Sequence, residues 1–207
     1  MIPMRLILVR HGKTDWNETG RCQGISDVPL NPAGIEQAEK VAFSLKDESI
    51  DRIYSSNLVR AKTTAAKIAA YHSIDIDMRD DLREMDQGIF EGLDFSYIRE
   101  KYPDVLEHWR KDPETLQLPG GESLKGVQQR ALDAIVDIKS RFESQNIVVV
   151  SHNMVIGTLF CSFTGSSLKK LRDYIVDEAS KSVVEVYDGR FVIISFNDID
   201  HLDLPVE

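Results

Sequence analysis

Three runs of consecutive apolar or branched residues punctuate the chain: "RLILVR" at 5–10, "DRIYSS" at 51–56 and "NIVVVSH" at 146–152. Each suits a buried strand, and the long segments between them change to helical spacing. In "NPAGIEQAEKVAFSLKD" the residues Ile35, Ala38, Val41, Ala42 and Leu45 share one helix face. Asn31 is placed to cap that helix, and Pro32 stands where a first-turn proline is tolerated. The spacing predicts a second helix from about 58 to 71 and a third from about 123 to 142, after the turn "LPGGES". A fourth starts just beyond His152, with Val155, Leu159 and Phe160 inward. Toward the end, "SVVEVYDGRFVIISFN" sets two strand-like runs either side of Asp188-Gly189, a strong hairpin signal. The alternation reads as an α/β fold whose mostly parallel sheet is closed by at least one antiparallel strand.

The stretch from about 82 to 121 breaks the rhythm. Short amphipathic pieces alternate there with Pro103, Pro113, Pro119 and several glycines, as in a lid-like excursion from the main fold. At 207 residues the chain is expected to form one domain, 1–207, containing that excursion. With 34 acidic against 25 basic residues the formal net charge is -9, which disfavours a nucleic-acid partner. No stretch approaches the roughly 18 consecutive apolar residues of a membrane span, and the early charges do not suit a signal peptide, so a cytoplasmic location is the expectation. Cys22 and Cys161 lie far apart and suggest neither a zinc cage nor a disulfide framework.

The chemistry concentrates in "VRHG" and "VSHN", which place His11 and His152 directly after hydrophobic strands. In an open parallel sheet the carboxyl ends of the strands share an edge, and ligands bind in the crevice there. Two histidines so distant in sequence can therefore meet, with Arg10 beside one and a helix N-terminus after the other. Together with "GRCQGISDVPLNPAGIEQA", "YSSNLVRAKTTA", "LREMDQGIFEGL" and "PGGESL", these motifs run in order along nearly the whole chain. The chain closely resembles the histidine phosphatase superfamily, also called the phosphoglycerate mutase-like family.

That resemblance implies a three-layer α/β/α sandwich and a reaction at a phosphate monoester, with no metal and no cofactor. Arg10 and Arg60 match phosphate-clamping arginines, whose forked guanidinium groups suit a dianion. His11 matches a nucleophile that becomes a transient phosphohistidine, and His152 a second histidine donating to phosphoryl oxygens. Asn17, Gln23 and Gly24 match further phosphate-pocket positions. Glu84 matches the acid that protonates the leaving group, with Asp86 and Glu91 open as substitutes. His201 resembles a C-terminal histidine of bacterial members acting on phosphoserine; a flexible surface imidazole is the simpler account. Two departures stand out: Asn153 where many relatives carry glycine, and Lys13 where glutamate is commoner. Asn153 is tolerable if the helix behind it offers its free N–H groups to the anion.

The implied partner is a small phosphorylated metabolite; a homodimer is compatible with the resemblance, and no exposed apolar stripe decides it. The implied function is a phosphatase, with phosphoserine and α-ribazole phosphate as candidate substrates. A phosphoglycerate mutase dependent on 2,3-bisphosphoglycerate is the rival, although such mutases usually have longer chains and "GW" where this one has "QG". A phosphate-binding scaffold would be expected to have lost one of Arg10, His11, Arg60, Glu84 or His152, and none is lost. A metallohydrolase using His11, His152 and His201 lacks any H-x-H or H-E-x-x-H pattern.

Overall fold

The computed structural model describes residues 3–142 and 144–204. Strands β1 (Met4–Arg10), β2 (Arg52–Ser56), β3 (Ile76–Arg79) and β4 (Asn146–Ser151) run parallel, and β5 (Lys181–Tyr187) and β6 (Arg190–Asp198) complete a six-stranded sheet in the order β3-β2-β4-β1-β5-β6. β5 pairs antiparallel with both β1 and β6. The antiparallel closure is therefore a two-strand hairpin, with β5 inside the sheet and β6 at its edge.

The unbroken apolar runs of β1 and β4 follow from burial on both faces. Leu6 and Leu8 project into one core cluster with Ile147 and Val149, whereas Ile7 and Val9 project into the other with Val148 and Val150. Helices α2 (Pro32–Ser44) and α3 (Val59–His72) cover the second cluster, and α6 (Leu124–Arg141) and α7 (Asn153–Phe163) cover the first. Three layers result. The α2 cap is as the sequence indicates, since Asn31 Oδ1 accepts from Gly34 N at 2.8 Å. Ser123 caps α6 in the same way, accepting from Gly126 N at 3.2 Å.

β3 was not visible in the hydrophobic pattern, because an edge strand with mostly exposed side chains needs no apolar run; its ladder to β2 defines it. Within the excursion lie α4 (Phe95–Lys101) and α5 (Pro103–Lys111), separated at Pro103, together with 3-10 turns at Asp80–Leu82 and Gly88–Phe90. Leu82, Met85, Phe90, Ile98, Leu116 and Leu118 bury into the α6/α7 core. The excursion thus packs as part of that core and also overhangs the ends of the parallel strands. A four-residue helix, α1 (Asp15–Glu18), follows β1. Among the described residues no helix is long and apolar enough to cross a membrane.

Candidate active site

The β1–β4 ladder pairs Arg10 with Ser151, so the residues that follow, His11 and His152, leave the sheet together at one edge. Their ring centroids are 5.0 Å apart, and both side chains are buried. Gly12 permits the tight exit of β1: a Cβ there would lie 2.3 Å from the Gly34 carbonyl of α2.

Hydrogen bonds define the protonation state of His11. Its Nδ1 lies 2.7 Å from the Gly12 carbonyl, which can only accept, so Nδ1 carries the proton. Nε2 accepts from Arg60 Nε at 3.2 Å and keeps its in-plane lone pair. Burial first, then the Arg60 and Arg10 charges, lower its pKa well below 6.5, which agrees with a neutral ring. The same causes, joined by the neighbouring His11, depress His152. His152 Nε2 lies 2.8 Å from Ser56 Oγ, while its Nδ1 is buried without a partner. Ser56 Oγ also accepts from Leu58 N at 3.2 Å. In the tautomer that takes the Ser56 hydroxyl proton on Nε2, Nδ1 carries the proton and is an unspent donor inside the site.

Both arginines are held from behind. Arg60 is fully buried on α3, with its terminal nitrogens on the carbonyls of Gly24 (2.7 Å) and Ser26 (2.8 Å). Arg10 donates to the Val176 carbonyl (2.5 Å) and to Glu178 Oε1 (2.8 Å), and its buried Nε has no partner. The segment 176–180 that receives Arg10 is itself tied to the site: Ala179 N donates to the His11 carbonyl (3.0 Å), and Val176 N donates to Asn153 Oδ1 (3.1 Å).

Glu84 is buried beside these groups. Its carboxylate accepts from Met85 N (2.8 Å) and, at 3.4 Å, from Met154 N in the first turn of α7. Burial raises its pKa above the usual carboxylate value, against the opposing pull of those N–H donors and of Arg60 and Arg10. Arg130 on α6 braces the loop that presents it, donating to the carbonyls of Asp81 (2.8 Å), Arg83 (2.6 Å) and Glu84 (3.0 Å). The same guanidinium forms a forked pair with Glu122 at 2.8 and 2.9 Å.

Several sequence expectations resolve differently. Asp86 and Glu91 are not free acids: Asp86 Oδ1 accepts from Gly88 N, and Glu91 accepts from the amides of Ile25, Ser26 and Gln87. Glu91 thereby pins the turn at Gly24, whose φ of 57° and lack of a Cβ let the carboxylate approach. Asn153 turns its side-chain oxygen to Val176, and the neighbouring Met154 amide goes to Glu84, so this first turn is already partly committed. Asn17 Oδ1 closes a capping box with Thr14 (3.0 Å to its N–H), and Gln23 Oε1 is buried without a partner. His201 is not at the surface. It is buried, with Nε2 on the Ala179 carbonyl at 3.0 Å, and reaches the histidine pair only through that backbone link. Among the described residues no three His, Cys, Asp or Glu side chains converge as metal ligands. The structure adds Ser56, Arg130 and Glu178, to which the sequence reading gave no role, and it turns Glu91 from a substitute acid into a brace for the Gly24 turn. Ser56 alone had a local signal, its place at the end of the β2 run.

Residues 6–199 match the family model of the histidine phosphatase superfamily (branch 1). Phosphoserine phosphatase 1 of Hydrogenobacter thermophilus is 36% identical over 199 residues, covering 96% of this chain and 94% of that one. The metal-independent phosphoserine phosphatase of Arabidopsis thaliana is 35% identical over 201 residues, covering 95% of this chain and 82% of the relative. Among solved structures, YhfR of Bacillus stearothermophilus superposes with a TM-score of 0.92 at 32% identity, covering 97% of this chain and 100% of its own. The chain is a hydrolase belonging to the histidine phosphatase superfamily, branch 1.

Proposed function

We propose that the protein hydrolyses small phosphate monoesters in two steps through a phosphohistidine on His11, without a metal. In the first step Nε2 of His11 attacks phosphorus and the ester P–O bond breaks. Glu84, whose pKa burial raises, is the acid that gives its proton to the departing alkoxide. In the second, the Glu84 carboxylate takes a proton from water as its oxygen attacks phosphorus, and the P–N bond breaks to release inorganic phosphate. Arg60 exchanges its contact with Nε2 for phosphate oxygens, Arg10 offers its unpartnered Nε, and His152 offers Nδ1–H. Gln23 and the Asn17 amide nitrogen complete the pocket.

The observation that carries this reading is the tautomer of His11, neutral and protonated on Nδ1, so that Nε2 is presented as a nucleophile among cationic donors. Phosphoserine is the ester named for the Hydrogenobacter and Arabidopsis relatives and belongs in the first substrate panel on that ground. Phosphate release should be measured from L-phosphoserine, 3-phosphoglycerate, α-ribazole phosphate and 4-nitrophenyl phosphate, with EDTA present. Release by the native protein that disappears in His11→Ala supports the reading. Isomerisation of 3-phosphoglycerate without net phosphate release would instead identify a mutase.

A further inference from the structure

Next to the phosphate site is a cavity of about 190 Å³ that none of the roles above uses. Its outer wall belongs to the excursion, with Phe90, Phe95, Ile98, Val105, Leu106 and Trp109. Its inner wall belongs to the frame of the active site. Met154 lines it and gives its N–H to Glu84; Cys22 lines it and precedes Gln23; Gln87 lines it and donates to the Glu91 carboxylate that fixes the Gly24 turn. The cavity therefore abuts the Glu84 side of the site, where the alcohol must depart if Glu84 is to protonate it.

Among the described residues no charged side chain lines this space, and Gln87 is the one polar side chain apart from the Trp109 indole N–H and the Cys22 thiol. Burial pushes that thiol up to about 12, so it stays neutral. Phe95 lines the cavity and is 51% exposed, giving an apolar edge toward solvent. A dry cavity of roughly 150 Å³ with a comparable apolar lining is known to accept benzene, so the space here holds one aromatic ring. A carboxylate or ammonium in it would lose hydration without gaining a partner.

We propose that this cavity receives the alcohol half of the substrate and selects phosphate monoesters whose leaving group is apolar and about the size of one ring, over esters bearing charges on the alcohol, phosphoserine included. The proposal rests on the phosphatase reading above and names its substrate class. The excursion supplies this selection together with the acid Glu84, and the strand ends and α3 supply the nucleophile and the phosphate clamp.

Benzyl phosphate and L-phosphoserine are both esters of primary alcohols, so comparing their kcat/KM reports on the cavity more than on leaving-group acidity. The native protein should prefer benzyl phosphate by about tenfold or more, since filling an apolar pocket gives discrimination of that order. Val105→Trp, which fills the cavity, should remove most of the preference by lowering kcat/KM for benzyl phosphate. Phe95→Ser, at an exposed position that does not threaten folding, should reduce the preference in the same direction. Equal or better use of phosphoserine by the native protein would overturn the proposal and leave the phosphatase reading intact. Binding of benzylphosphonate against methylphosphonate, followed by calorimetry, reads the cavity without turnover. Benzylphosphonate should bind about tenfold tighter or more in the native protein and lose that advantage in Val105→Trp; equal binding in the native protein overturns the proposal. Tighter benzylphosphonate binding with no ester hydrolysed would uphold the cavity and sink the phosphatase reading alone.

Discussion

The phosphate pocket and the excursion at 82–121 are built on opposite principles. In the pocket, both histidines and both arginines are held by second groups: His11 by Gly12, Arg60 by two carbonyls, Arg10 by Val176 and Glu178, and His152 by Ser56. These partners lie at the ends of parallel strands or on the segments tied to them, so the geometry is fixed before substrate arrives. Past Glu84, Asp86 and Glu91 at its start, the excursion has short helices, an apolar cavity and exposed aromatic side chains. The contrast separates two tasks. Charge stabilisation needs preorganised donors, whereas selection of an alcohol needs only shape and polarity, which short helices can vary without disturbing the sheet.

Substitutions in the pocket should therefore reduce turnover of every ester, and those in the excursion should change their ranking. The largest effect is expected from His11→Ala, with kcat down by about 10⁴-fold or more on all substrates in steady-state phosphate release. Arg60→Lys keeps the charge but loses the fork that holds Gly24, Ser26 and His11, and should cost about 10² to 10³-fold. Glu84→Gln distinguishes leaving groups: about 10² to 10³-fold for benzyl phosphate, but under about tenfold for 4-nitrophenyl phosphate, whose phenolate departs without a proton. A uniform loss across both esters would remove Glu84 from the acid role.

Smaller effects follow from the residues behind the site. Arg130→Lys should lower kcat on benzyl phosphate by roughly tenfold by loosening the loop that aims Glu84, and it should shift the pH profile while sparing 4-nitrophenyl phosphate. Conserved pH dependence with equal losses on both esters would make Arg130 a purely structural brace. Stability should also respond to pH. Below 6.5 the unfolded chain binds protons at His11 and His152 that the buried rings refuse, so stability present above that value is lost as pH falls. Glu84 acts in the opposite sense: its raised pKa favours folding below 4.5, and that contribution is lost as pH rises through its folded value. Two histidines outweigh one carboxyl, so Tm should fall between about pH 7.5 and about pH 5.5, and His152→Asn should flatten the slope. A Tm that rises over this interval would contradict the protonation states assigned to the pair.

Much of the pocket was legible in the sequence because strand ends are. Unbroken apolar runs identify β1 and β4, and the polar residues that interrupt them must lie at the sheet edge, which places Arg10, His11 and His152 together. The excursion was legible only as an irregular segment, since Pro103 and the glycines mark breaks without saying how α4 and α5 pack. β3 was hidden by its exposure at the sheet edge. Arg130 and Glu178, and the backbone-binding role of Glu91, were hidden for another reason. A charged residue that binds backbone groups distant in sequence has the local signature of a solvated surface residue, and only the fold shows which amides or carbonyls it meets. His201 shows the converse, since a motif-like position turned out to be a buried brace behind Ala179.

The central claim is that Nε2 of His11 carries the phosphoryl group between two half-reactions. Rapid acid-free quenching during turnover of benzyl phosphate, followed by mass spectrometry of the digested protein, tests it directly. A phosphorylated peptide containing His11, formed and lost at rates that account for kcat and absent in His11→Ala, is the predicted result. Full turnover with no such adduct, or with the phosphoryl group on another residue, would contradict it.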